Sequence, residues 1–189
     1  MMTEDEPWQA DGQVPFVVVE SLQEADAMRE EQPTASVFYA EWAKYQQALK
    51  DALAPLTMEQ LSLQAAPTLR SIGEIAEHII AARAWWFKGF MGEGSEEIAR
   101  YFSWDEPDAP RRSADDLVGG LDRTWDLMVE ALSRWSASDM QHTFPHEWRG
   151  ESYNLSRSWV VWHVLEHDLH HGGELSITLG MHGLQAPDI

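Results

Sequence analysis

Residues 157–181 read RSWVVWHVLEHDLHHGGELSITLGM. Ser156 stands just before this stretch, where a hydroxyl can cap a helix start. The stretch is apolar nearly all round, which predicts a long, centrally buried helix. Within it, positions 163–174 (HVLEHDLHHGGE) hold four of the chain's eight histidines and three acids. So many imidazoles on one buried helix need partners, because an unpaired polar group in a core costs free energy.

Outward from this segment, three further helical patterns precede it. Thr34 can cap ASVFYAEWAKYQQALKDAL, in which Val37, Trp42, Tyr45 and Leu49 fall near helical spacing. Ser71-x-x-Glu74 is a capping-box signature, each side chain able to satisfy a backbone N–H of the other. It opens IGEIAEHIIAARAWWFKGFMG, with Ile75, Ile79, Ala82 and Trp86 along one stripe and Gly92 and Gly94 at its end. Ser113-x-x-Asp116 opens ADDLVGGLDRTWDLMVEALSRW, where Gly119-Gly120 either weakens the helix or admits a close neighbour.

The connections are distinct from the helices. APLTMEQLSLQAAPT reads as a loop with a brief helical turn, and SWDEPDAPRR as an acidic loop. Residues 137–155 read as a β-like hairpin or structured loop around Arg149-Gly150. At the start, VPFVVVE suggests a short strand or extended arm, and SLQEADAMREEQP a short acidic helix closed by Pro33. Four amphipathic helices without convincing strands predict an all-α protein, a four-helix bundle over residues 34–189 behind an N-terminal extension over 1–33.

Composition narrows the function. Thirteen basic against 32 acidic residues leave a net charge of −19. Nucleic-acid binding draws on Lys and Arg, and anionic membranes repel such a chain, so neither is an expected partner. With no cysteine, any metal must sit on His, Asp or Glu, and thiolate chemistry from the chain itself is excluded. No apolar run approaches the roughly 18 residues of a membrane span, and the acidic start MMTEDEPWQADGQ lacks a secretory pattern. A cytoplasmic location is the expectation. Ten tryptophans suggest large aromatic anchors in a helical core or at an interface.

A helix turns about 100° per residue, so His163, His167 and His171 are each displaced by about 40° from the one before. His170 falls close to His163 in angle. All four share one stripe, and i, i+4 pairs suit a single metal. Two arrangements compete. His163-x-x-Glu166-His167 matches the pattern of inverzincin metalloproteases, with Glu166 to activate water, but it needs a third ligand and usually a larger, sheet-containing chain. His167-x-x-x-His171 needs one more imidazole from a neighbouring helix. His78, the only histidine in the first 141 residues, lies mid-helix and is available. A shared metal would satisfy all three at once.

The segments SIGEIAEHIIAARAWWF and HVLEHDLHHGGELSITLG, with the order of helices from about residue 34 to 183, resemble the DinB superfamily. The resemblance implies a four-helix bundle of up-down-down-up topology, often a homodimer, with a three-histidine site between helices. Carried over by position, the metal ligands would be His78, His167 and His171, and the metal nickel or zinc with water in the remaining positions. Related members include thiol-dependent transferases and isomerases that use mycothiol or bacillithiol. Many members carry HHRGQ where this chain has HHGGE, so Gly172 replaces a basic residue and Glu174 an amide. The first 33 residues fall outside the resemblance.

Three neutral imidazoles leave positions open on a divalent metal, which can lower the pKa of water or bind and ionise a thiol. His163, one turn before His167, is the candidate catalytic proton carrier, with core packing as its alternative role. His170 is expected to be structural or to support the ligands. His142, His146 and His182 are expected at the surface. Asp168 and Glu166 can orient a ligand imidazole, lie in solvent, or pair with Arg83. Trp85, Trp86 and Phe87 are expected to wall a pocket. The expected function is a metal-dependent transferase or hydrolase acting on a small molecule, with a low-molecular-weight thiol as co-substrate. The alternative is a non-catalytic, stress-associated metal-binding protein.

Overall fold

The computed structural model describes residues 34–187, with side chains from residue 39 onward. The strand and helix expected within residues 1–33, and the side chains of Thr34 and Val37, lie outside the described residues. Four long helices follow one another: α1 (Thr34–Leu53), α2 (Ile72–Ala84), α3 (Ala114–Arg134) and α4 (Arg157–Met181). A single helical turn, Met58–Leu61, follows α1. α2 runs directly into a π-helical turn, Trp85–Phe90, and then a 3₁₀ segment, Glu96–Asp105. Between α3 and α4 an antiparallel hairpin pairs β1 (Thr143–Trp148) with β2 (Glu151–Ser156).

Local chemistry sets these boundaries. Ser71 Oγ accepts from Glu74 N while Ser71 N donates to Glu74 Oε2, a reciprocal cap that opens α2. Ser113 and Asp116 repeat the arrangement at α3. Ser156 Oγ accepts from Trp159 N at the head of α4. The hairpin turns on Arg149 and Gly150, both with positive φ (53° and 82°), the combination a tight two-residue turn requires. The protein is therefore mostly helical, and the hairpin departs from a strictly all-α chain.

The compact unit Tyr39–Ile189 has one core, to which all four helices contribute. Trp42, Tyr45 and Leu49 of α1 are buried, as are Ile75 and Ile79 of α2. α2 packs on α3, on α4 and on the 3₁₀ segment. Gly120 sits where an added Cβ would press on Ile80 and Trp104, so it admits close neighbours, whereas nothing lies within 4 Å of a Cβ at Gly119.

One expectation needs correcting. α4 is not buried all round: Trp162, Leu169 and Ile177 are 59%, 48% and 65% exposed. Spaced seven and eight residues apart, they form one outward stripe, while Val160, Val164, Leu175 and Leu179 on the other side enter the core. Composition alone made the helix look apolar on every side; only packing distinguishes the two faces.

Candidate metal centre

α2 and α4 bring His78, His167 and His171 together, each offering a ring nitrogen within 4.8 Å of the others. The ring centroids lie 4.3–4.6 Å apart. His163 is not in this group; its ring centre is 6.2 Å from that of His167. Glu166, its partner in the protease-like motif, is 63% exposed with its carboxylate 3.9 Å from His163 Nδ1. Of the two arrangements, the geometry assembles the one that spans two helices.

Two carboxylates control the imidazoles. His78 Nδ1 meets Asp105 Oδ2 at 2.7 Å, and Arg70 stands 3.8 Å from the other oxygen of that carboxylate. His171 Nδ1 meets Glu174 Oε2 at 2.8 Å. A carboxylate holds the proton of a neutral imidazole on the nitrogen facing it, which leaves Nε2 of His78 and of His171 as the unprotonated nitrogen; in His78 that atom is the hydrogen-bond partner of His167 Nε2. His167 Nε2 lies 3.0 Å from His78 Nε2, and its buried Nδ1 has no hydrogen-bond partner.

A divalent cation fits this set. Burial, reinforced by the neighbouring His171 and His78, pushes His167 down to about 2, and burial also lowers His171. The neutral form, which a metal needs, is thus favoured. A second grouping, His170, His171 and Glu174, shares His171 and uses the exposed side of α4.

Around the three histidines the side chains divide sharply. Asp168 is fully buried and belongs to a different cluster: Arg83 Nε and Nη2 grip its carboxylate at 2.7–3.0 Å. Trp42 Nε1 donates to Asp168 at 2.9 Å, and Tyr45 donates to its carbonyl at 3.2 Å. Asp168 therefore pairs with Arg83 and does not touch a ligand imidazole. Phe87 turns into the core and stacks on Trp135, and of the expected aromatic wall Trp86 is the ring that meets His163.

His163 stacks on Trp159 (4.9 Å, 14°) and meets Trp86 edge-on; burial lowers its pKa. His170 is exposed, 3.5 Å from Glu174. His182 contacts the Gln64 carbonyl, and His142 lies against Phe144. His146 departs from the expected surface role, sitting half-buried among Trp85, Trp86 and Phe90. Sequence reasoning also missed Asp105 and Glu174. Glu174 had a helical signal, three residues after His171; Asp105, at the end of a 3₁₀ segment, had none.

Comparison with known proteins decides the family. The model of the DinB superfamily matches residues 41–175. The chain belongs to the DinB superfamily. A crystal structure of a DinB-like protein from Bacillus cereus is similar at 25% identity, covering 80% of this chain and 95% of that one, with a TM-score of 0.63. A conserved protein from Enterococcus faecalis shares the fold at 11% identity, covering 73% and 92%, with a TM-score of 0.54. No curated protein matches the chain. Among the described residues, no helix is long and apolar enough to cross a membrane.

Proposed function

We propose that this DinB-superfamily member is a metal-dependent transferase or hydrolase acting on a small molecule, with His78, His167 and His171 holding one nickel or zinc ion. The reading includes a low-molecular-weight thiol as co-substrate, the up-down-down-up four-helix bundle implied by resemblance, and a homodimer in the cytoplasm. What supports it most is the convergence of three imidazoles: Nδ1 of His78 and of His171 meets a carboxylate, so Nε2 is the nitrogen each can offer a cation, and ring nitrogens of all three histidines lie within 4.8 Å of one another.

When bound, a cation there supplies Lewis acidity to whatever oxygen or sulfur ligand completes its coordination. The chain's own residues do the rest. Asp105 and Glu174 hold ring orientation and tautomer. Neutral His163, exposed enough to meet a ligand, is the group placed to take or return a proton at a ring nitrogen. A second reading, a metal-holding protein without turnover, draws on the same carboxylates: Asp105 and Glu174 are both engaged by imidazoles and neither is free as a base.

Elemental analysis of tag-free protein, wild type against His78→Ala, His167→Ala and His171→Ala, tests the site. One equivalent of metal in the wild type and loss in each variant is expected. Retention in the His171→Ala variant with loss on His163→Ala would overturn the ligand set. Turnover of electrophilic substrates with mycothiol, bacillithiol or glutathione, abolished by His163→Ala with metal retained, separates the two readings.

A further inference from the structure

Beside the three histidines lies an aromatic surface drawn from three separate elements. The π turn supplies Trp85 and Trp86, β1 supplies His146 and Trp148, and α4 supplies Trp159 and His163. Trp86 is its centre, with ring centroids 4.7 Å from Trp85, 5.6 Å from Trp159, 4.9 Å from His163 and 6.0 Å from His146. His163 and Trp159 lie nearly parallel, as do His146 and Trp148.

Packing of the hairpin accounts for the half-buried members. It does not account for Trp85, Trp148 and Trp159, which remain 41%, 57% and 41% exposed although each stacks one face on a neighbouring ring. Exposing that much indole next to a cluster of ligand-type side chains is costly unless something covers it.

The charge around this surface is selective. Glu166 stands beside His163, and Glu151 pairs across the hairpin with Trp148, on a chain of net charge −19. Two cations touch its margin. Arg149 lies over Trp148 at its outer end, and Arg157, over Phe144, faces Glu93 at 3.5 Å. Aromatic faces attract flat rings and cations, and the surrounding acids repel anions.

We propose that the aromatic surface formed by exposed Trp85, Trp148 and Trp159 with half-buried Trp86, His146 and His163 binds the protein's small-molecule substrate, a flat aromatic compound without negative charge. The inference deepens the metal-site reading by naming a substrate class. A ring stacked on Trp159, whose plane is inclined 62° to that of Trp86, has its substituents near His163, one helical turn from His167.

Isothermal titration calorimetry on the full-length chain with 2-naphthol, neutral at pH 7, tests this. Saturable binding is expected, roughly tenfold weaker for 2-naphthoate and at least roughly threefold weaker for the saturated decahydro-2-naphthol. Trp159→Ala and the bulk-preserving Trp159→Leu should each weaken 2-naphthol by roughly tenfold, while Trp162→Ala, on the outward stripe of the same helix, leaves it unchanged. Equal binding of the naphthoate, wild-type affinity in both Trp159 variants, or equal loss in Trp162→Ala would overturn the proposal. Metal content, measured on the same samples, reports separately. Naphthol binding by a chain that takes up no metal would refute the metal reading and spare the aromatic one; metal uptake without saturable naphthol binding would do the reverse.

Discussion

His167 and Asp168 are neighbours in the chain, yet their side chains enter opposite kinds of polar surroundings. Asp168 meets a guanidinium, an indole N–H and helix α1, and both it and Arg83 are fully buried. His167 meets two other imidazoles and keeps an unpartnered buried nitrogen. The Arg83–Asp168 cluster balances its own charge. The histidine cluster instead gathers ring nitrogens of the kind that can hold a cation. Buried opposite charges that neutralise each other fix helices, even though Gln46, which accepts from Arg83, keeps an unpartnered amide nitrogen; converging ligand-type nitrogens are where a cation can bind.

The largest test of this contrast removes one half of the closed cluster. Asp168→Ala leaves Arg83 charged in a dry interior, and we expect a loss of about 3–5 kcal/mol in chemical denaturation. Arg83→Met combined with Asp168→Leu should recover most of it. A small effect of the single change would show that water reaches Arg83, and the contrast would fail.

Next in size is the acid sensitivity of the open cluster. In chelator-treated protein, His167 is held at about 2, whereas an unfolded imidazole titrates at about 6.5. A base whose folded pKa is depressed contributes stability that is fully present above the unfolded value and lost as pH falls through the window toward the folded one. Denaturation midpoints should therefore fall below about pH 6.5, and His167→Gln should flatten that slope. Unchanged slopes would place His167 in solvent.

Smaller still, Asp105→Ala frees the His78 ring and should weaken zinc binding by about 10–100-fold, measured against a chromophoric chelator. The smallest effect is expected from Tyr45→Phe, which removes one hydrogen bond to the Asp168 carbonyl at a cost of about 1 kcal/mol in thermal unfolding. An equal loss of metal affinity in Tyr45→Phe would show that the two clusters act as one.

The sequence made some of this legible and hid the rest for physical reasons. Ser71, Ser113 and Ser156 could be recognised as helix starts because a cap is a contact within four residues. The gathering of His78, His167 and His171 was readable because i, i+4 spacing and a lone mid-helix histidine are signals that survive without tertiary detail. Asp105 was invisible because it reaches His78 across 27 residues from an irregular segment. His146 and the outward stripe of α4 depend on which face meets a neighbour, and no local pattern encodes that choice.

Gly172 sets how closely α1 and α4 can pack. A Cβ at this position would overlap the phenol of Tyr45, so α1 and α4 approach as they do only because one of them offers no side chain there. Residues 45 and 172 thus trade bulk: an arginine at 172 calls for a smaller partner on α1, and installing it alone would push the helix bearing two of the three imidazoles away from its seat.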